Sequence, residues 1–89
     1  MIVGVKDKVF VFEWDRWNLD KIYLKHGISP HEAEEVFISE DSYLFSDIKH
    51  SQKEERLIIL GKTQEKKNLF VVFTMRGQKV RIISANNAH

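Results

Sequence analysis

Two runs near the C-terminal end, Leu69-Phe70-Val71-Val72-Phe73-Thr74-Met75 and Lys79-Val80-Arg81-Ile82-Ile83-Ser84-Ala85, flank the triplet Arg76-Gly77-Gln78. Both are crowded with β-branched and aromatic residues and are parted by a glycine turn, the pattern of an antiparallel hairpin. A two-residue Gly77-Gln78 loop suits that turn, with glycine at the first central position. It pairs Arg76 with Lys79, Met75 with Val80, Thr74 with Arg81 and Phe73 with Ile82. Side chains alternate along each strand, so the pairing assigns two faces. One face carries Leu69, Val71, Phe73, Met75, Val80 and Ile82, and is expected to lie under helices. The other carries Phe70, Val72, Thr74, Arg76, Lys79, Arg81 and Ile83, apolar at one end and cationic at the other. A three-residue loop would insert a bulge there and shift the register.

The rest of the chain supplies what that sheet needs. Val9 to Trp14 is β-branched and aromatic and reads as a strand, with Ile2 to Val5 a further strand turned back at Lys6-Asp7-Lys8. Asp15 can cap a helix running to about His26, with Leu19, Ile22 and Tyr23 as its apolar stripe and Gly27 at the left-handed position that closes it. Ser29-Pro30-His31-Glu32 has capping-box spacing, with proline at the first helical position of a second helix. Ala33, Val36 and Phe37 form its buried face, and it should stop near Ser39. Ser42 to Phe45 and Leu57 to Leu60 are short strands, and 48–55 and Thr63 to Asn68 are polar connections. The expected fold class is α+β: two N-terminal helices packed on a four- to five-stranded, mainly antiparallel sheet in two layers, with no C-terminal helix.

Eighty-nine residues, with no internal repeat or Ser/Gly linker, predict a single domain over 1–89. There is no cysteine, which excludes disulfides, thiolate metal sites and a cysteine nucleophile. The core must come from apolar packing, and aromatic residues make up 11% of the chain. No apolar run approaches the ~18–20 residues of a membrane span. Met1 to Lys8 lacks the long apolar stretch of a secretory signal. A cytoplasmic location follows as the expectation. Charges nearly balance, 14 Lys and Arg against 13 Asp and Glu, with a pI near 8.0. Nucleic-acid-binding domains often exceed a pI of about 9, so any such function here rests on where the cations stand.

The cationic end of the hairpin is the main candidate site. Like charges opposite one another on a sheet are destabilising. A solvated face tolerates them, particularly if acids from Glu54-Glu55 pair with them. The sharper reading is an anion site, because guanidiniums grip phosphate bidentately. Lys25 and His26 end the first helix, where the helix dipole alone explains cations. The functional reading has both side chains project toward the cationic edge. His50 lies in a polar loop, where histidine is ordinarily just solvated, but where it can also exchange protons near neutral pH. Glu54, Glu55 and Arg56 form either a local surface ion pair or an acid and a cation leading into the sheet. Trp14 and Trp17 read as core or rim packing, though an exposed one could stack on a base. No metal or other cofactor is implied. His31-Glu32 begins an HExx pattern, but Glu35 stands where its second histidine belongs. Phosphate-binding glycine loops and the GxSxG elbow are missing from the sequence.

Several segments then fall into a familiar order. Phe12-Glu13-Trp14-Asp15 leads into Trp17-Asn18. Lys25-His26-Gly27-Ile28-Ser29-Pro30-His31-Glu32-Ala33-Glu34-Glu35-Val36-Phe37 follows, and then Leu60-Gly61-Lys62-Thr63. Leu69 to Gly77 and Lys79 to Ala85 complete the series. Together they resemble the BrnT family of bacterial toxins from Phe12 to Ala85. The resemblance implies a RelE-like fold and a ribonuclease toxin of a type II toxin–antitoxin module. It also implies an RNA substrate and a small BrnA-like antitoxin that neutralises the toxin by contact and carries the complex to operator DNA. In such an enzyme Arg76 and Arg81 would hold phosphate, and Lys25 and His26 would support charge or proton transfer. Glu55 and Arg56 match the family's pair entering the sheet. Thr74 would orient the phosphate or Arg81, with Lys79 and His50 beside the substrate. The chain departs from the family pattern at Asn86, which stands where an arginine is expected, and the family's basic stretch and final helix are not found in Asn86 to His89. A toxin fold that only binds an antitoxin or nucleic acid is the alternative these departures allow.

Overall fold

The computed structural model describes residues 10–16, 19–21, 23, 27–47 and 54–88. Five strands form one sheet: β1 (Val11–Glu13), β2 (Tyr43–Ser46), β3 (Leu57–Lys62), β4 (Asn68–Arg76) and β5 (Lys79–Asn87). Their spatial order is β1-β5-β4-β3-β2. The β2, β3, β4 and β5 neighbours run antiparallel, while β1 lies parallel to β5. The sheet is therefore mixed, and a strand precedes the helices. The leading strand agrees with the reading of Val9 to Trp14, and its parallel pairing adds one parallel edge to the mainly antiparallel sheet expected. A parallel edge requires a crossover connection, and the chain between β1 and β2 supplies it. The suggested strand at Ile2 to Val5 lies outside the described residues.

Between β1 and β2 the polypeptide is helical at residues 16, 19–21 and 23. Leu19 N–H donates to the Asp15 carbonyl at 2.9 Å, and Gly27 N–H to the Tyr23 carbonyl at 2.8 Å. Gly27 then has φ +68°, a conformation that stops a helix and that glycine adopts without a Cβ penalty. Of the expected apolar stripe, Leu19 is half-buried and Tyr23 is exposed, while Ile22 lies outside the described residues. A second, capped helix spans Pro30–Glu35, and a 3-10 turn at Val36–Ile38 continues it. Its start is the predicted capping box. Glu32 N–H donates to Ser29 Oγ at 3.2 Å, and Ser29 N–H donates to Glu32 Oε1 at 3.0 Å. The end at Ser39 is also where the sequence placed it.

The core lies between this helical layer and one face of the sheet. Ala33, Val36 and Phe37 pack onto Ile59, Leu69, Val71, Phe73, Val80, Ile82 and Ala85. Phe37 is the hub, with ring centroids 5.1 Å from Phe12 and 4.9 Å from Phe73, both edge to face. Polar ties close the layer. Trp14 Nε1 donates to Glu34 Oε2 at 2.7 Å, so Trp14 serves packing, half-buried against the core. Glu35, itself buried, accepts from Gln64 N–H at 3.1 Å, and Lys67 Nζ donates to Glu32 Oε2 at 2.9 Å. The capped helix is thereby fastened to the β3–β4 turn.

The hairpin register is the one read from the sequence: Arg76 with Lys79, Met75 with Val80, Thr74 with Arg81, Phe73 with Ile82. Two details differ. Met75 is 41% exposed although assigned to the covered face, because β3 begins at Leu57, opposite Phe73, and β5 alone flanks Met75. A bulge also occurs, at the strand centre rather than at the turn. Val72 pairs with Ser84, leaving Ile83 as the extra residue. An inserted residue reverses the alternation beyond it, which is why Ile82 and Ala85 both point into the core.

Candidate active site

The sheet face away from the helical layer is built by simple alternation. Phe12 and Trp14 turn toward the core, so Glu13 turns to the other side. Parallel pairing sets Glu13 beside Arg81, and antiparallel pairing sets Thr74 on the far side of Arg81, with Arg76 opposite Lys79. At this end of the face the two guanidiniums meet two carboxylates. Arg81 Nη1 lies 3.5 Å from Glu13 Oε1, and Arg76 Nη1 lies 3.9 Å from the same oxygen. Arg81 Nη2 lies 3.5 Å from Asp15 Oδ2. The Arg81 side chain is 24% exposed and that of Arg76 is 51% exposed, so Arg76 is the more open of the two.

These distances change the picture drawn from the sequence. The face carries a charge-balanced cluster instead of a bare cationic patch. The acids that meet the arginines come from β1 and the residue beyond Trp14, where Glu54-Glu55 had been expected to supply them. Ion pairs of this length between half-exposed groups contribute roughly 0–1 kcal/mol each. Both guanidiniums are therefore oriented by the carboxylates without being tightly consumed by them. Glu13 Oε1 is itself buried and accepts no hydrogen bond among the described residues.

The other candidates fall into place around this cluster or outside the described residues. Thr74 is 2% exposed, and its hydroxyl donates to the Glu55 carbonyl at 2.7 Å. A hydroxyl has one proton to give, so in this arrangement Thr74 anchors the chain at Glu55 and Arg56 over the sheet. Arg56 is half-buried, and its carbonyl accepts from Asp47 N–H at 2.8 Å, while Glu55 is exposed. Lys79 is exposed at the hairpin end, opposite Arg76. Lys25, His26 and His50 lie outside the described residues, as does Trp17. Among the described residues no group of three His, Asp or Glu side chains could hold a metal ion. No helix among them is long and apolar enough to cross a membrane.

Sequence reasoning missed Glu13 and Asp15 as members of this cluster. The available signal was the spacing of Glu13 and Asp15 around the inward Trp14, which sets two acids on one side of an extended segment. That signal becomes a site only through the pairing of β1 with β5.

Comparisons with known proteins agree with the architecture. A family model described as "Ribonuclease toxin, BrnT, of type II toxin-antitoxin system" matches residues 14–89. Among solved structures, the 1.1 Å crystal structure of the Brucella abortus ribonuclease toxin, BrnT, superposes with a TM-score of 0.70. The two are 23% identical, over 91% of this chain and 99% of that one, a likeness that speaks for the fold. The comparison with curated proteins yields no match.

Proposed function

We propose that this chain, which belongs to the BrnT family of ribonuclease toxins of type II toxin–antitoxin systems, cleaves RNA at the Arg76–Arg81 cluster by internal transesterification. In that reaction a ribose 2′-hydroxyl attacks the adjacent phosphorus and the 5′-oxygen leaves. The step needs a proton acceptor, positive charge on the phosphoryl oxygens and a proton for the leaving group. It needs no metal when guanidiniums supply the charge. The observation that carries this reading is the position of one anionic oxygen, Glu13 Oε1, 3.5 Å from one guanidinium and 3.9 Å from the other. The same pair can share a phosphoryl oxygen. Lys79 extends the positive charge along the strand, and the Thr74–Glu55 tether holds Glu55 and Arg56 nearby. Lys25, His26 and His50 are the remaining donors in this reading.

Membership of a type II family implies an antitoxin partner and an RNA target. We take the partner to be a BrnA-like protein that masks the site and bears the contacts to operator DNA, with the toxin acting in the cytoplasm on a RelE-like scaffold. The charge balance of the cluster favours a second reading, a module that binds RNA or the antitoxin without cleaving. One assay separates the two. Purified protein is incubated with end-labelled RNA beside Arg76→Ala and Arg81→Ala. The nuclease reading expects cleavage by the wild type, reduced about 10²–10³-fold by either substitution. RNA retained but uncut by the wild type supports binding alone.

A further inference from the structure

We infer that Glu13 is the general base that removes the proton from the ribose 2′-hydroxyl, an inference that rests on the Arg76–Arg81 reading above. Three observations lead to it. Its Oε1 atom is buried and accepts no hydrogen bond among the described residues, an exception that calls for a reason. The same atom faces the guanidiniums of Arg76 on β4 and Arg81 on β5 at ion-pair distances, too long to satisfy it as hydrogen bonds. The side chain as a whole is 37% exposed, so the residue is part-open to solvent although Oε1 itself is enclosed. A base anchored beside the groups that grip the phosphate and still open to substrate is what the 2′-hydroxyl, one atom from the ribose carbon next to that phosphate, requires.

The step balances within the RNA. The 2′-hydroxyl proton passes to the Glu13 carboxylate, and the 2′-oxygen bonds to phosphorus. The bond from phosphorus to the 5′-oxygen breaks, and that oxygen takes a proton from water or from a protonated side chain. The products are a 2′,3′-cyclic phosphate and a 5′-hydroxyl end. Phosphate binding favours the transfer, because the phosphodiester brings its own negative charge to the guanidiniums and loosens their hold on the carboxylate. Among the described residues Arg76 and Arg81 lie at ion-pair distance from Glu13, Asp15 shares Arg81, and Lys79 stands two positions from Arg81 on β5, beside Val11.

The test compares wild type, Glu13→Gln, Glu13→Asp and Arg76→Ala in single-turnover cleavage of labelled RNA from about pH 4 to 9. Binding of an all-2′-deoxy oligonucleotide of the same sequence is measured beside it, since that probe cannot be cut this way. Glu13→Gln is expected to slow cleavage about 10²–10⁴-fold and to erase the acidic limb of the pH profile, with probe binding unchanged or tighter. Glu13→Asp should recover part of the rate and keep the limb. A Glu13→Gln protein that cleaves like wild type, or that keeps the acidic limb at a lower rate, overturns the inference. Parallel loss of cleavage and probe binding also overturns it, leaving Glu13 as a support for the arginines. If wild type cleaves nothing, this inference and the nuclease reading of the arginines fail together. If wild type cleaves, Arg76→Ala is impaired and Glu13→Gln cleaves like wild type, this inference alone is lost.

Discussion

Ser29 and Glu32 exchange hydrogen bonds at the start of the capped helix, and Lys67 reaches the same Glu32 carboxylate from the β3–β4 turn. The Ser29 backbone N–H, then Lys67, hold the Glu32 carboxyl below its ordinary value of 4.5. A depressed folded-state value means the contribution is present above the unfolded value and is lost as pH falls through the folded one. Glu32→Gln should therefore lower the melting temperature at neutral pH, and the gap should close as the solution is acidified below about 4.5. Ser29→Ala removes the other half of the box and is expected to cost about 1 kcal/mol. In a domain of this size that is a fall of roughly 4–8 °C by thermal denaturation.

Between elements, β3 packs tightly against the 3-10 turn at Gly61. A Cβ at Gly61 would stand 3.0 Å from Val36 Cγ1 and 3.3 Å from the Val36 carbonyl oxygen. The carbonyl belongs to backbone and cannot swing aside, so Gly61→Ala should destabilise by about 1–3 kcal/mol in denaturant titration. Phe37 sits at the centre of the same contact, with Phe12 on β1 and Phe73 on β4 stacked edge-on to its ring. Phe37→Ala empties a site that three elements share and is expected to cost about 3–5 kcal/mol. Local chemistry made much of this level readable in advance. A serine followed by proline and glutamate, a glycine after a helical stretch and a glycine turn between two apolar strands each act within a few residues. The bulge at Ile83 was not readable, because its signature is a change in partner and not in residue type.

For the molecule as a whole, the sheet divides the labour between its faces. One face is filled by the helical layer. The other carries the arginine–carboxylate cluster at the β1, β5 and β4 end and exposes Tyr43 and Phe45 of β2 at the opposite end. If the cluster takes RNA backbone, affinity must fall with salt, with a slope of about 0.7 per phosphate neutralised on a single strand. Arg76→Ala should flatten that slope by about one such step in a fluorescence-anisotropy titration, whatever the RNA sequence. An unchanged slope would place Arg76 off the phosphate path.

The hairpin register, the two helix boundaries and the inward positions Ala33, Val36 and Phe37 are local matters. They follow from backbone preferences and side-chain periodicity, and the same run of residues carried the family likeness. The arrangement that makes a site is of another kind. Asp15 and Arg81 lie 66 positions apart, and nothing in either residue's neighbours specifies the other. They meet because a short first strand runs parallel to the last one at the sheet's edge, which turns Glu13 toward two arginines and converts a row of like charges into a balanced cluster. Long-range pairing of that sort depends on closing the whole sheet around its core, so the choice of counter-ions for Arg76 and Arg81 belongs to the folded chain.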